Sequence, residues 1–189
     1  MNLAQSAGAS ALSAIGTLLN SGTAVAYQGA IPASPETAIS GQTVLATWDY
    51  ATAAMGTPSY NGSGLETAAL SFTAASVTPS ANGTCCFIRS LGSGSAVVAD
   101  ATVSAPWQAS TAVIVGQYVS NGGNLYVCTT AGTTASSGGP SGTGTGITDG
   151  TAVWNYVRAG TGDFTFGTTA FSTGTSVDIT SLSMSVPVV

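Results

Sequence analysis

The sequence has no lysine and no histidine, and its only basic residues are Arg89 and Arg158. Charged residues make up 5% of the 189 positions, against roughly 25% in an ordinary soluble domain. Two arginines cannot form a basic patch, so nucleic-acid binding driven by counterion release is excluded. Without an imidazole or an amine, the usual general bases, Schiff-base amines and catalytic triads are missing, and a cysteine nucleophile has no histidine to activate it. The acids Glu36, Asp49, Glu66, Asp100, Asp149, Asp163 and Asp178 lie apart from one another, with no spacing that suggests a glycosidase pair or a metal site. "GSGS" and "GGPSGTGTG" are not followed by a lysine-bearing helix, so they are not phosphate loops. The expectation is a protein with no catalytic residues, no metal and no cofactor.

Cysteine is also sparse. Cys85, Cys86 and Cys128 are odd in number and lack CxxC spacing, which fits neither a disulfide framework nor a zinc site. The adjacent Cys85 and Cys86 point to opposite faces of a strand. They read as small buried hydrophobes, with a disulfide to Cys128 or to another chain as the alternative. No apolar run reaches the roughly 18 residues a membrane span needs, so membrane insertion is not expected. The Ala- and Leu-rich start lacks the positive n-region of a signal peptide. It is expected to be retained, on a chain made in a cytoplasm.

Glycine, alanine, serine and threonine fill most of the sequence, yet hydrophobic residues reach 44%. That is enough to bury a core and argues against disorder. The net charge of −5 is modest and scattered, with no acidic tail, and the composition predicts a neutral surface of Ser, Thr, Gly and Asn. Since soluble proteins normally stay soluble through charge, such a surface suits a chain packed against copies of itself or of a partner.

Residues 3 to about 20 repeat apolar positions at helical spacing: Leu3, Ala7, Ala11, Ile15 and Leu18, with Leu12 and Leu19 alongside. Gly8 and Gly16 each weaken this helix by about 1 kcal/mol relative to alanine, so it needs a surface to lie on. Beyond it the period falls to two. "TVLATWDYA" predicts a strand with Val44, Ala46, Trp48 and Tyr50 on one face and Leu45 on the other. "TCCFIRSLGSGSAVVADATVS" predicts a hairpin, strand 84–90 and strand 96–103 around a turn at 92–95. Phe164, Phe166, Val177, Ile179, Leu182, Met184 and Val186 continue the alternation. Short strands at this spacing predict an all-β fold, an antiparallel, jelly-roll-like β-sandwich with an N-terminal helix.

Residues 105–158 differ from the rest. They open at Trp107 and close at Trp154-Asn155-Tyr156-Val157. Without them "VVADATVS" would meet "AGTGDFTF" across a short turn. The expected organisation is a helix or arm at 1–22, a body of 23–104 and 159–189, and a small β module inserted at 105–158, since loop tips tolerate insertion. The alternative is one continuous sheet.

Trp107, "VIVGQYVSNGGNLYVC", "AGTT", Pro140 and "DGTAVWNYV" occur in order, and the segment resembles the family 5/12 carbohydrate-binding modules and related repeats of phage tail proteins. The resemblance implies that Trp107, Tyr126 and Trp154 stack on sugar rings, with Asp149 accepting a hydroxyl; Asp149-Gly150 is also a turn signal. In so small a module the same aromatics are equally its available core. The Gly/Ser/Thr run after Thr134 reads as mobile display loops. The flanks, "SGTAVAYQGAIPASPETAISGQTVLATW" and "GDFTFGTTAFSTGTSVDITSLSMSVP", resemble small Ser/Thr/Gly-rich virion proteins of tailed bacteriophages. That resemblance implies a virion structural protein. It would be a homo-oligomeric capsid decoration or cement protein on the major capsid protein or other virion proteins. The alternative is a tail-fibre or baseplate protein binding host-surface polysaccharide.

Overall fold

The structure is a computed structural model that describes residues 3–179 and 182–188. The expectation that the start of the chain is retained concerns Met1, which lies outside them. The fold is all-β with one N-terminal helix, as the sequence predicts. After α1 (Gln5–Leu19) come β1 (Thr23–Gln28), β2 (Thr43–Met55), β3 (Leu65–Phe72), β4 (Phe87–Leu91) and β5 (Val97–Pro106). Then follow β6 (Tyr118–Asn121), β7 (Asn124–Thr130), β8 (Ile147–Asp149), β9 (Ala152–Ala159) and β10 (Ser183–Pro187). They join in the order β8-β9-β7-β6-β5-β4-β1-β2-β3-β10. Two-residue strands at Ser59–Tyr60 and Phe164–Thr165 pair with β3 and β5, and three small two-stranded ladders stand apart.

The β4–β5 hairpin forms, but its first strand is Phe87–Leu91 where 84–90 is expected, because Gly83–Thr84 pairs instead with Ala170–Phe171; Arg89 lies opposite Asp100. Its turn closes through Gly92 N–H to Ala96 O at 2.9 Å. The β2 alternation is broken at Leu45. Ala26 pairs with Ala46 and Tyr27 with Val44, so Leu45 is the extra residue of a β-bulge. The bulge turns Leu45 into the core beside Ala46 and leaves Val44 on the surface, reversing the expected sides of those two residues.

Helix α1 is rotated by about one position from the expected stripe. It buries Gly8, Leu12, Gly16 and Leu19, whereas Ala7 is exposed and Leu18 is 61% exposed. The glycines that weaken the helix are also what seats it. A Cβ on Gly16 would lie 2.7 Å from the Met55 Cβ, and one on Gly8 would collide with the Val188 side chain. No side chain caps Ala4 at the helix start, and no charged residue complements either end. Packing therefore holds the helix, helped at its C-terminal end by Asn20 Oδ1, which accepts from Ala54 N–H at 2.9 Å.

Leu19, Ala24, Ala26, Leu45, Trp48, Ile88 and Val103 share one core cluster with Phe164, Phe171 and Ile179, so the C-terminal segment covers this face of the sheet. Each fully buried Leu or Ile contributes about 2 kcal/mol. The opposite face is covered too, which is why β1 is buried along its length. There Val25, Tyr27, Cys86 and Phe87 pack against Ile31 and Ile39 of the connection between β1 and β2 and against Ile114. The Arg89 side chain lies on this face, bidentate to Asp100 (2.7 Å to each oxygen) and 3.0 Å from Thr37 O. Both side chains are only 4% exposed. Cys85 and Cys86 do take opposite faces, but both faces are inside. All three thiols are free and buried, and burial pushes each upward, Cys86 to about 11.

Among the described residues two ladders depart from the antiparallel expectation, and both are on β5; the isolated Leu3–Val188 bridge is parallel too. Beyond β4, β5 pairs in parallel with β6 through Ser104 to Pro106 and with Phe164–Thr165 through Val103 and Ser104. Strand 164–165 does neighbour β5, but it runs in the same direction. Parallel neighbours cannot be joined by a tight turn; they need a crossover of a dozen or more residues. Residues 107–163 form that crossover. They also bury a hydrophobic cluster of their own, while β5 runs unbroken from one region into the other.

Candidate functional site

The crossover is organised by tight hairpins. β6 and β7 pair from Tyr118–Val127 to Asn121–Asn124, turning at Gly122-Gly123, both of positive φ. β8 and β9 pair from Ile147–Trp154 to Asp149–Ala152 around Gly150. Gly150 has φ +66°, and a Cβ there would collide with Thr133 O and sit 2.7 Å from Ala135 N. Only glycine fits this position, so Asp149-Gly150 is the turn its sequence signals.

That turn aims Asp149 inward. Its Oδ2 accepts from Trp107 Nε1 at 2.8 Å and Trp154 Nε1 at 3.2 Å, and its Oδ1 accepts from Ala135 N at 2.9 Å. One carboxylate, 4% exposed, thus joins both tryptophans to the start of the Gly/Ser/Thr run. Tyr126 and Trp154 are 0% exposed and pack with Val113, Val119, Cys128 and Ala152. These positions belong to the core and offer no face to a sugar ring. Asp149 has its oxygens turned to three internal donors. Among the four residues that the resemblance marks for sugar binding, only Trp107 is partly exposed.

The Gly/Ser/Thr run is not a set of mobile display loops. Asn121 Nδ2 donates to Gly138 O and Pro140 O, and Tyr126 Oη donates to Gly142 O. Tyr156 N–H reaches Gly144 O, and Gly146 N–H reaches Asn155 Oδ1. Pro140 is fully buried. Small residues let the chain lie flat on the module and be fastened at every second residue. Sequence reasoning missed this because the fastening groups, Asn121, Tyr126 and Asn155, lie outside the run.

Trp107 borders a cleft of about 390 Å³ between the module and the body. Gln108, Thr111, Gln117 and Thr134 line one side and Thr84, Thr168 and Thr169 the other; no charged side chain lines it. Thr134 is itself built in, accepting from Thr111 N–H at 2.8 Å and donating to Gln108 O at 2.7 Å. The cleft escaped sequence reading because its two walls are distant in the chain and made of common threonines.

Arg158 is the other cation, and it pairs with Asp163 at 2.6 Å. Asp163 Oδ2 also accepts from the N–H and hydroxyl of Thr102, each at 2.8 Å, so it seals part of the outer edge of β5. Burial alone would raise the Asp163 carboxyl, but the two Thr102 bonds and Arg158 outweigh it and hold the group below the usual carboxylate range. A depressed native value stabilises the fold above the unfolded value, and the gain is lost as pH falls through the native value. Asp163→Asn should therefore be less stable than the parent at pH 7, with the gap closing under acid conditions. Urea titrations across pH measure this, and a gap independent of pH would refute it. Because the pair is about half exposed, the gap should be small.

Among the described residues no group of three His, Cys, Asp or Glu side chains is placed to hold a metal ion. Among them, too, no helix is long and apolar enough to cross a membrane. No family model matches the chain, and neither a curated protein nor a solved structure matches it.

Proposed function

We propose that this protein is a structural component of a bacteriophage particle, a decoration or cement protein that binds the major capsid protein in many copies. The observation that carries this reading is where the few ionisable groups go. Arg89 is spent on Asp100, Arg158 on Asp163, and Asp149 on two indoles and an amide. What remains for contact is a charge-poor Ser/Thr/Gly surface, with Glu36, Asp49 and Asp178 as scattered exposed acids and with apolar residues such as Leu18, Val115 and Val157. Such a surface adheres by shape, backbone hydrogen bonding and repeated weak contact, and multiplicity turns weak contacts into firm attachment. The flanking resemblance to tailed-phage virion proteins supplies the setting. Electron microscopy of particles carrying a labelled copy of the chain tests this: regular density over the capsid shell supports the reading, and absence from purified particles refutes it.

The cleft favours a second reading, a tail-fibre or baseplate protein that holds host-surface polysaccharide. An uncharged cleft with a partly exposed indole and amide and hydroxyl groups around it suits a neutral polyhydroxylated ligand. Trp107→Phe is the informative variant here, because Tyr126→Ala or Trp154→Ala would empty the module core instead of testing a contact.

A further inference from the structure

We infer that two copies of this chain join edge to edge through β10, extending one sheet across a two-fold axis. The edges of a sheet carry unpaired N–H and C=O groups, and proteins normally blunt them with charge, brevity or a covering group. In this sheet β8, at one end, has three residues. On β5 the outward Thr102 N–H is taken by Asp163. β10, at the other end, runs Ser-Met-Ser-Val-Pro with no charged side chain. Among the described residues outside the sheet, Leu3 meets it at its far end, in a single parallel bridge to Val188.

The hydrogen bonds of β10 show which of its groups face outward. Leu182 O accepts from Leu70 N–H, and Val188 N–H donates to Gly64 O, each at 2.8 Å. Alternate residues of a strand turn their polar groups to opposite edges. Leu182, Met184, Val186 and Val188 therefore face β3, and Ser183, Ser185 and Pro187 face outward. Proline sits at an outward position, where its missing N–H costs the ladder nothing. Ser183 and Ser185 are exposed and offer both an N–H and a C=O.

These groups satisfy one another in a single antiparallel register. Ser183 of each copy lies opposite Ser185 of the other, and all of their outward N–H and C=O groups are exchanged. The two Met184 residues then face each other across the axis. A second copy suits this edge because the strand is uncharged and meets its own sequence without repulsion; a closed two-fold contact of this kind also ends assembly at a pair. The inference deepens the assembly reading but stands on the edge geometry alone. Its failure would leave the particle-location test untouched.

The test uses the full chain. Sedimentation should show twice the chain mass, and Ser185→Lys should halve it while the circular dichroism stays unchanged. Met184→Cys, introduced among buried native thiols, should link two chains under mild oxidation. Residues directly opposite at a non-hydrogen-bonded position lie about 4.5 Å apart at Cα, within the roughly 4.4–6.8 Å a disulfide spans. Ser185→Cys should not link, because its counterpart sits diagonally at about 7–8 Å. A monomeric parent chain, a dimer that survives Ser185→Lys, or linkage through Ser185→Cys in place of Met184→Cys would each overturn the inference.

Discussion

Asp149→Ala should unfold the crossover module, at a cost of about 3–5 kcal/mol in urea titrations followed by tryptophan emission. The carboxylate is the shared acceptor for Trp107 Nε1, Trp154 Nε1 and Ala135 N. Each buried donor left without an acceptor costs about 1–3 kcal/mol, and the three losses are not fully additive. Trp154 is fully buried and cannot turn to solvent for a replacement. Asp149→Asn should fall between, since its remaining oxygen serves one side of the cluster while its NH₂ faces donors on the other. A loss under about 1 kcal/mol for the alanine variant would mean that the indoles are held by packing alone.

Asp100→Ala should destabilise the body by about 3–5 kcal/mol, because it leaves the Arg89 guanidinium buried without its counter-charge. Arg89 is enclosed by Thr37 and by the cluster around Tyr27 and Phe87. Its remaining bond to Thr37 O satisfies one donor and none of the charge. The double variant Arg89→Met with Asp100→Leu should recover most of the loss, since a buried ion pair contributes little relative to apolar residues of similar volume. Thermal and urea unfolding of the two single variants and the double variant form the cycle. Additive losses would show that the pair is not coupled and that the loop bearing Thr37 moves away when either partner is lost.

The two predictions concern residues of different legibility. The hairpin that carries Arg89 and Asp100 is written in local order: a glycine turn between two alternating segments. The register at the turn would set Arg89 opposite Ala99, and a one-residue shift at Val98 moves it to Asp100, so the ion pair itself is not written in the turn. The Asp149 cluster is only half legible. Asp149-Gly150 signals its turn, but nothing local says that the turn points inward to collect an indole from Trp107, forty-two residues back. The same applies to Trp107, Tyr126 and Trp154. Their spacing marks an aromatic module, and only burial separates the three, leaving Trp107 alone with a partly exposed face.

Scarcity of charge, one run of helical spacing and a period of two beyond it were enough, from the sequence alone, to establish an all-β chain with one helix and few charges. These are local or summed properties that every arrangement of the chain shares. Tertiary structure decided what lies across from what. It put Phe164–Thr165 parallel to β5, which made residues 107–163 a crossover. It placed the bulge at Leu45 and sent Val44 outward, and it seated α1 on Gly8, Leu12, Gly16 and Leu19, one position on from the expected stripe. The physical reason is common to all of these. Alternation fixes that a strand has two faces, but which face is covered, and in which direction a neighbour runs, depends on residues far away in the chain.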